Sequence, residues 1–390
     1  MSIPKTIIHF SQDFTKGKPQ LGGFSRIYNL CSDANRHIIY TISTTIDKVD
    51  EYYIDTIKIV QIPVKERPTG IFNQFKLYKS IGKKICKHLK ISNIEPDLFF
   101  GHSHQGNFLI LQFVKNNLFP KKNILWEANG IGGCPKVNEP FKHMLANRVQ
   151  YYLQKYVFKK CDVIVAQTIQ SKEFIAKEFR IKNNKIEVVP NAIVIPKHEI
   201  SLKKEVRAVK KVLCFGLFDQ LNGIPFLIDV IKSHSFKDID FAFAGFGKYV
   251  DEVISLEKKT KNKTTYLGQL LYKDMMAVLP KYDYFIIPRL DTLGAQLYIP
   301  TKLLEGMLLG VVPICSNVKG MTCVVTDNED GLIFPKENKQ ALINVLNTLP
   351  SPSENKFLIW QKNAINKVVK EYNWRNNYVL LNEIYKKVLS

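Results

Sequence analysis

The chain has 390 residues, 45% of them hydrophobic, which predicts packed globular structure and, by length, two domains of roughly 190 residues each. No run of about 18 uncharged apolar residues is present, so no helix is expected to span a bilayer, and MSIPKTIIHFSQDF reads as a first buried strand rather than a leader. Seven scattered cysteines without a CxxC pair argue for a reducing compartment and against a disulfide framework or a zinc site.

The formal net charge of +21 is uneven. Residues 1–200 carry 30 Lys+Arg against 16 Asp+Glu, and residues 201–390 carry 26 against 19. Two acid-free stretches stand out. FNQFKLYKSIGKKICKHLKI (72–91) holds six lysines, and FKHMLANRVQYYLQKYVFKK (141–160) holds five basic residues among Tyr151, Tyr152, Tyr156 and Phe158. Such surfaces attract phosphates, either of nucleic acid or of an anionic membrane; a solvated helix face is the plain alternative. No nucleic-acid-binding motif accompanies them, so nucleic acid is not expected as a partner.

In chain order, TIIHF (6–10), HIIYTIS (37–43), DLFFGHSH (97–104), NILWEANG (123–130) and DVIVAQT (162–168) read as strands. Segments with apolar residues three and four apart, such as Leu77, Ile81, Ile85 and Leu89, read as helices between them. This alternation predicts parallel βαβ units in a doubly wound sheet. KIEVVPNAIVIP (185–196) closes the first half, and HEISLKKEVRAVKK (198–211) reads as a linker. The pattern restarts with VLCFG (212–216), DFAFAGFG (240–247), TTYLG (264–268), DYFIIPR (283–289), VVPICS (311–316) and GLIFP (331–335); helices over 354–371 and 375–389 end the chain. The expected organisation is a domain over 1–197, a linker over 198–211, a second domain over 212–370, and a terminal helix over 371–390 packing back towards the first domain.

The most informative stretch is IPTKLLEGMLLGVVPICSNVKG (299–320). Pro300 fixes a helix entry, and Lys302 and Glu305, three apart, share one face of the first turn. A lysine there adds to the positive helix end, where a diphosphate is stabilised, and a carboxylate one turn on can accept from a ribose diol. A surface ion pair is the bland alternative.

This segment resembles the nucleotide-sugar site of glycosyltransferase family 4, which has the GT-B fold. The resemblance continues in order along the chain through GGFSRIYNL (22–30), PDLFFGHSH (96–104), CDVIVAQTIQSKEFI (161–175), KIEVVPNAI (185–193), VLCFGLFDQLNGIPFLIDVI (212–231), FAFAGFG (241–247) and KEYNWRNNYVLLNEIY (370–385). It implies an α/β chain of two Rossmann-like, doubly wound domains facing a central cleft. The implied reaction is retaining transfer of a hexose-like sugar from a nucleoside diphosphate to an acceptor hydroxyl, without a metal or other cofactor. The implied partners are a sugar-nucleotide donor and a glycan or lipid-linked acceptor, with the chain cytoplasmic or peripheral on the inner membrane face.

The resemblance assigns Gly22, Gly23, Gly216, Gly245, Gly247, Lys302 and Glu305 to the donor, and His104, Glu127 and Asn129 to the reacting centre; Gly294 joins the donor set because its loop, DTLGAQLYIPTK, departs from the family and offers backbone N–H groups to phosphate. His102 and His104 project to opposite sides if the strand continues, and His104 is favoured because it lies nearer the loop. Glu127 is open between a base, an acceptor-hydroxyl ligand and a solvent-facing strand end. Gly245 and Gly247 are open between ligand approach and strand-end turns, and Asn191 between a site residue and a turn. The departures are equally specific. Leu217 and Asn222 stand where the family places an arginine and a lysine, and Leu297 stands where it places its first glutamate. These losses motivate a second expectation, a non-catalytic scaffolding subunit, and a third, a sugar-nucleotide epimerase.

Overall fold

The computed structural model describes residues 4–14, 22–65, 70–102, 104–131, 141–196 and 208–389. The chain divides into two compact units, residues 1–190 with 377–390, and residues 191–376. The linker reading over 198–211 falls largely outside the described residues; Lys210 and Lys211 already belong to a strand.

The first unit contains β1 (Thr6–Phe10), α1 (Gly22–Leu30), β2 (Arg36–Ser43), β3 (Asp50–Ile54), β4 (Ile57–Pro63), α2 (Ile71–Ile91), β5 (Leu98–Gly101), α3 (Gln105–Leu118), β6 (Asn123–Glu127), α4 (Phe141–Lys160), β7 (Val163–Ala166), α5 (Ile169–Phe179) and β8 (Ile186–Val188). Its sheet runs β3-β4-β2-β1-β5-β6-β7-β8, parallel throughout except for β3 against β4. The strands expected from the sequence are present. The β3–β4 hairpin is an addition. Its edge strand DEYYI alternates between exposed and partly buried residues, and its turn places Asp55 at φ 50°.

The second unit contains β9 (Lys210–Leu217), α6 (Ile224–Ser233), β10 (Ile239–Phe246), α7 (Val250–Lys259), β11 (Lys263–Tyr266), α8 (Tyr272–Val278), β12 (Tyr284–Ile287), α9 (Leu293–Leu297), α10 (Thr301–Leu308), β13 (Val312–Ser316), α11 (Lys319–Thr322), β14 (Leu332–Phe334), α12 (Lys339–Asn347), α13 (Asn355–Glu371) and the start of α14 (Trp374–Leu389). From Asn377 onward α14 lies in the first unit, where Asn377 Nδ2 donates to Pro190 O at 2.8 Å and Asn123 Nδ2 to Val388 O at 2.6 Å.

The second sheet, β11-β10-β9-β12-β13-β14, is wholly parallel and buried on both faces. Val212, Cys214, Phe241, Phe243, Tyr284 and Ile286 pack to one side. Leu213, Phe215, Ala242, Ala244, Phe285 and Ile287 pack to the other. Period-two alternation with both faces apolar is what helices on both sides of a parallel sheet require.

Each sheet reverses its winding direction once near its middle. In the first unit the reversal lies between β1 and β5, and in the second between β9 and β12. At such a point the loops leaving neighbouring strands diverge to opposite faces and leave a crevice at the carboxyl ends, where α/β sheets bind ligands.

Candidate functional site

In the second unit the crevice is formed by the ends of β9 and β12 and by α10. Gly216 has φ 113°, a conformation open to glycine and strained for a residue with a side chain. Lys302, in the first turn of α10, donates from Nζ to Phe215 O at 3.0 Å, and lies over the Phe215 ring at 5.8 Å. Its ammonium thus stands directly beside Gly216, where a Cβ would be 3.5 Å from Nζ. Burial lowers the Lys302 pKa, and the nearby charge of Arg289 lowers it further. Glu305 follows one turn later. Burial raises its pKa to about 7, against the opposing effects of a hydrogen bond from Tyr272 and the charge of Lys302. Lys302 and Glu305 make no ion pair with each other, so the surface-pair alternative does not describe them; both are half-buried, and Lys302 is turned to the end of β9.

Asn191 Nδ2 donates to Ile299 O at 2.6 Å, pinning the segment that leads into Pro300 and α10. It therefore positions the Lys302 turn rather than merely forming a bend. Leu297 is buried in α9, and Leu217 is 43% exposed. Asn222 is held by Asp219 Oδ1, which accepts from its backbone N and its Nδ2, both at 2.8 Å.

The glycines separate. A Cβ on Gly245 would lie 2.0 Å from Gly216 O, and one on Gly247 would lie 2.5 Å from Phe218 O. Gly245 allows close packing of β10 on β9, and Gly247, just beyond β10, close packing on the segment that follows β9, as the turn-and-packing alternative has it. Gly294 faces open space in the five-residue α9. Gly22 and Gly23 form the first turn of α1.

In the first unit His104 caps α3, its Nδ1 accepting from Gly106 N at 3.1 Å. That bond makes Nε2 the protonated nitrogen of the neutral ring, a donor. Partial burial lowers the His104 pKa and favours that neutral form. With Gln12, Ile42, Gln74, Leu77, Tyr78 and Ile81, His104 lines a cavity of about 230 Å³. Gln12 follows β1 and His104 follows β5, which places this cavity at the winding reversal. Asn129 Oδ1 accepts from Gln167 Nε2 at 2.9 Å.

His102 turns the other way, into a buried chain that the sequence did not reveal. Asp33 Oδ1 meets His37 Nε2 at 2.7 Å, His37 Nδ1 meets His9 Nε2 at 2.8 Å, His9 Nδ1 meets His102 Nε2 at 2.8 Å, and His102 Nδ1 meets Glu127 Oε2 at 2.7 Å. Arg26 closes the far end. Its Nε donates to Glu127 Oε1, and its terminal nitrogens donate to Pro190 O at 2.9 Å and Val189 O at 2.8 Å. The four contacts from Asp33 to Glu127 each need one proton, whereas three neutral imidazoles carry three. The chain therefore holds a fourth. Glu127 does not take it: burial favours its protonation, but Arg26 and His102 outweigh burial and hold its pKa down at about 2. The pKa of Asp33 is also lowered: burial opposes this, and the bonds from His37 and Asn35 prevail. His9 is the poorest place, since burial and its two histidine neighbours depress its pKa strongly. The excess proton is therefore held within the imidazole chain between the two carboxylates. With Arg26, two cations balance two anions.

Glu127 is 0% exposed and both oxygens are engaged, so the solvent-facing alternative fails. Cys31 Sγ lies 3.6 Å from His9 Nε2, and His9, Cys31 and His37 have metal-ligand chemistry. The 2.8 Å separation of the two ring nitrogens is a hydrogen-bond distance, shorter than two imidazoles sharing a metal at about 2.0–2.1 Å require.

Residues 209–351 match the family model described as glycosyl transferases group 1. An uncharacterized glycosyltransferase of Methanocaldococcus jannaschii is 23% identical over 395 residues, covering 95% of this chain and 96% of that one. The UDP-Gal:alpha-D-GlcNAc-diphosphoundecaprenol alpha-1,3-galactosyltransferase of Escherichia coli is 22% identical over 340 residues, covering 83% and 82%. Among solved structures, the sucrose-phosphate synthase of Thermosynechococcus elongatus superposes with a TM-score of 0.75 at 15% identity, covering 98% of this chain and 99% of that one. The chain is a glycosyltransferase with the GT-B fold. Among the described residues of this glycosyltransferase, no helix is long and apolar enough to cross a membrane.

Proposed function

We propose that this glycosyltransferase moves a hexose from a nucleoside diphosphate to an acceptor hydroxyl with retention at the anomeric carbon, in cell-surface polysaccharide or lipid-linked glycan synthesis. The observation that carries it is Lys302 in the first turn of α10, beside the side-chain-free floor at Gly216, with Glu305 one turn on. A diphosphate laid over Gly216 meets the Lys302 ammonium and the amide dipoles opening α10, and Glu305 is placed one turn on for hydroxyls of the ribose. Those charges stabilise the leaving group without a metal.

In the transfer, the bond from the sugar C1 to the diphosphate oxygen breaks and its electron pair leaves with the phosphate. The acceptor oxygen bonds C1 on the same face. Glu127 is committed to Arg26 and His102, and Asn129 does not titrate, so the acceptor proton goes to the departing phosphate oxygen. His104 orients rather than deprotonates, donating from Nε2 to an acceptor oxygen in the cavity beneath it.

The basic segments suit docking on an anionic membrane. On α2, Phe72 is 82% exposed and Phe75 41%, beside exposed Lys76, Lys79 and Lys83. On α4, Tyr152 is 66% exposed, and Lys159 and Lys160 open onto a basic hollow of about 640 Å³ shared with Arg180, Lys182, Lys185 and Lys387. The hollow lies at the amino-terminal ends of β6 and β7, away from the reversal where a substrate binds.

One observation favours a non-catalytic scaffold instead: exposed Leu217 and tethered Asn222 supply no charge to the donor crevice. Donor consumption measured with and without acceptor separates the readings. A transferase consumes donor with acceptor present and yields a product of unchanged anomeric configuration. Consumption independent of acceptor indicates an epimerase, and saturable binding without consumption indicates a scaffold.

A further inference from the structure

We propose that Arg289 is a second cation of the donor crevice and grips the diphosphate together with Lys302. The assignment rests on the donor-site reading and names the residue that replaces the charges missing at 217 and 222.

The first support is position. Arg289 stands two residues beyond β12, across the winding reversal from Gly216 at the end of β9. Its backbone is fixed on both sides. Ser316 Oγ, at the end of β13, donates to Arg289 O at 2.6 Å, and Leu290 N donates to Leu221 O at 3.3 Å. Gly223, at the start of α6, lies so close that a Cβ would fall 1.7 Å from Pro288 O. Three loops that converge on the crevice therefore hold this one residue at its edge.

The second support is the state of the side chain. The guanidinium is half-buried, yet it makes no hydrogen bond and no ion pair with any other described residue. Asp219 is near enough for its charge to act on Arg289, but its Oδ1 is spent on Asn222. The contrast with Arg26 is direct: that structural arginine is bonded to Glu127, Val189 O and Pro190 O. A guanidinium removed from water with its five N–H donors unfilled is costly unless a ligand completes it.

The third support is charge. Arg289 and Lys302 are close enough to repel, and burial depresses both. Asp219 offsets one of the two charges, and Glu305, with its pKa at about 7, is only partly ionised at neutral pH. The crevice thus keeps a positive excess, and a dianion between the two cations removes their repulsion. A guanidinium presents a planar fork that matches two phosphate oxygens at once, whereas Lys302 acts as a point charge.

The test titrates UDP, ADP and GDP into the intact protein by calorimetry, with uridine, adenosine and guanosine as controls. For the nucleoside diphosphate that wild type binds, Arg289→Gln is expected to weaken affinity about tenfold to a hundredfold and to flatten its salt dependence, with nucleoside binding unchanged. Arg289→Lys keeps the charge, loses the fork, and is expected to fall between the two; it also serves if the Gln variant does not fold. Unchanged affinity in either variant overturns the assignment while leaving the donor site intact. Failure of wild type to bind any of the three diphosphates removes the donor-site reading and the assignment together.

Discussion

Replacing Glu127 with Gln tests the proton count of the buried chain, because glutamine keeps the shape and changes only the charge. Its Oε1 can still accept from Arg26 Nε, and its Nε2 can donate to His102 Nδ1, reversing the direction of that contact. Every bond then points towards Asp33, and three neutral imidazoles suffice. The excess proton leaves. The energetic cost follows from Glu127. Its pKa of about 2, against an ordinary 4.5, corresponds to roughly 3 kcal/mol of stability. Because the folded-state value is depressed, that contribution is fully present above pH 4.5 and is lost as pH falls through 2. Leaving Arg26 with a neutral partner in a site without solvent places the total at about 3–5 kcal/mol at pH 7. Urea unfolding measures the deficit, and 15N spectra of ring-labelled histidine count the protons. Wild type should show one imidazolium in the chain at pH 7 and the variant none. A variant as stable as wild type, with its imidazolium retained, would refute the reasoning.

Glu305→Gln should show the opposite sign. Burial raises the folded-state pKa of this carboxyl to about 7, so ionisation works against folding as pH rises from 4.5 to 7. The variant should gain up to roughly 3 kcal/mol over wild type at pH 8 and little below pH 4.5, while losing donor affinity; an equal stability difference at pH 5 and pH 8 would contradict this. Flotation with vesicles containing anionic lipid should recover wild type at low salt and release it at high salt, since each lysine near the surface contributes on the order of 1 kcal/mol. Replacing Lys76, Lys79 and Lys83 with Gln should abolish recovery, and wild type that remains unbound at low salt would remove the membrane proposal.

Much of the fold was legible because its strands are short β-branched and aromatic runs bounded by turn residues. TIIHF, VLCFG and VVPICS fall inside β1, β9 and β13 or overrun them by a residue or so. The β3–β4 hairpin was not, since an edge strand that alternates with charged and polar residues looks like a loop. The placement of Lys302 and Glu305 on one helix, α10, was legible from their spacing behind Pro300. The histidine chain was not, because residues 9, 37, 102 and 127 meet only when the order β2-β1-β5-β6 is known. The signal was there in part: IIHF, HIIY and LFFGH each set a histidine beside a strand-like apolar run. Gly245 and Gly247 resembled ligand-approach positions, but it is the neighbouring strand and loop that approach them. Arg289 was unremarkable in DYFIIPR, since a lone arginine after a strand signals nothing until its missing partners are seen.

The central claim is a sugar-nucleotide site floored by Gly216 and charged by Lys302. Its most direct test is acceptor-dependent donor turnover by wild type and by Lys302→Ala, over a panel of nucleoside diphosphate sugars. Wild type should consume one donor, and the variant should lose at least about a hundredfold in kcat/KM, the scale of removing one preorganised transition-state contact. Turnover by Lys302→Ala equal to wild type would contradict the account.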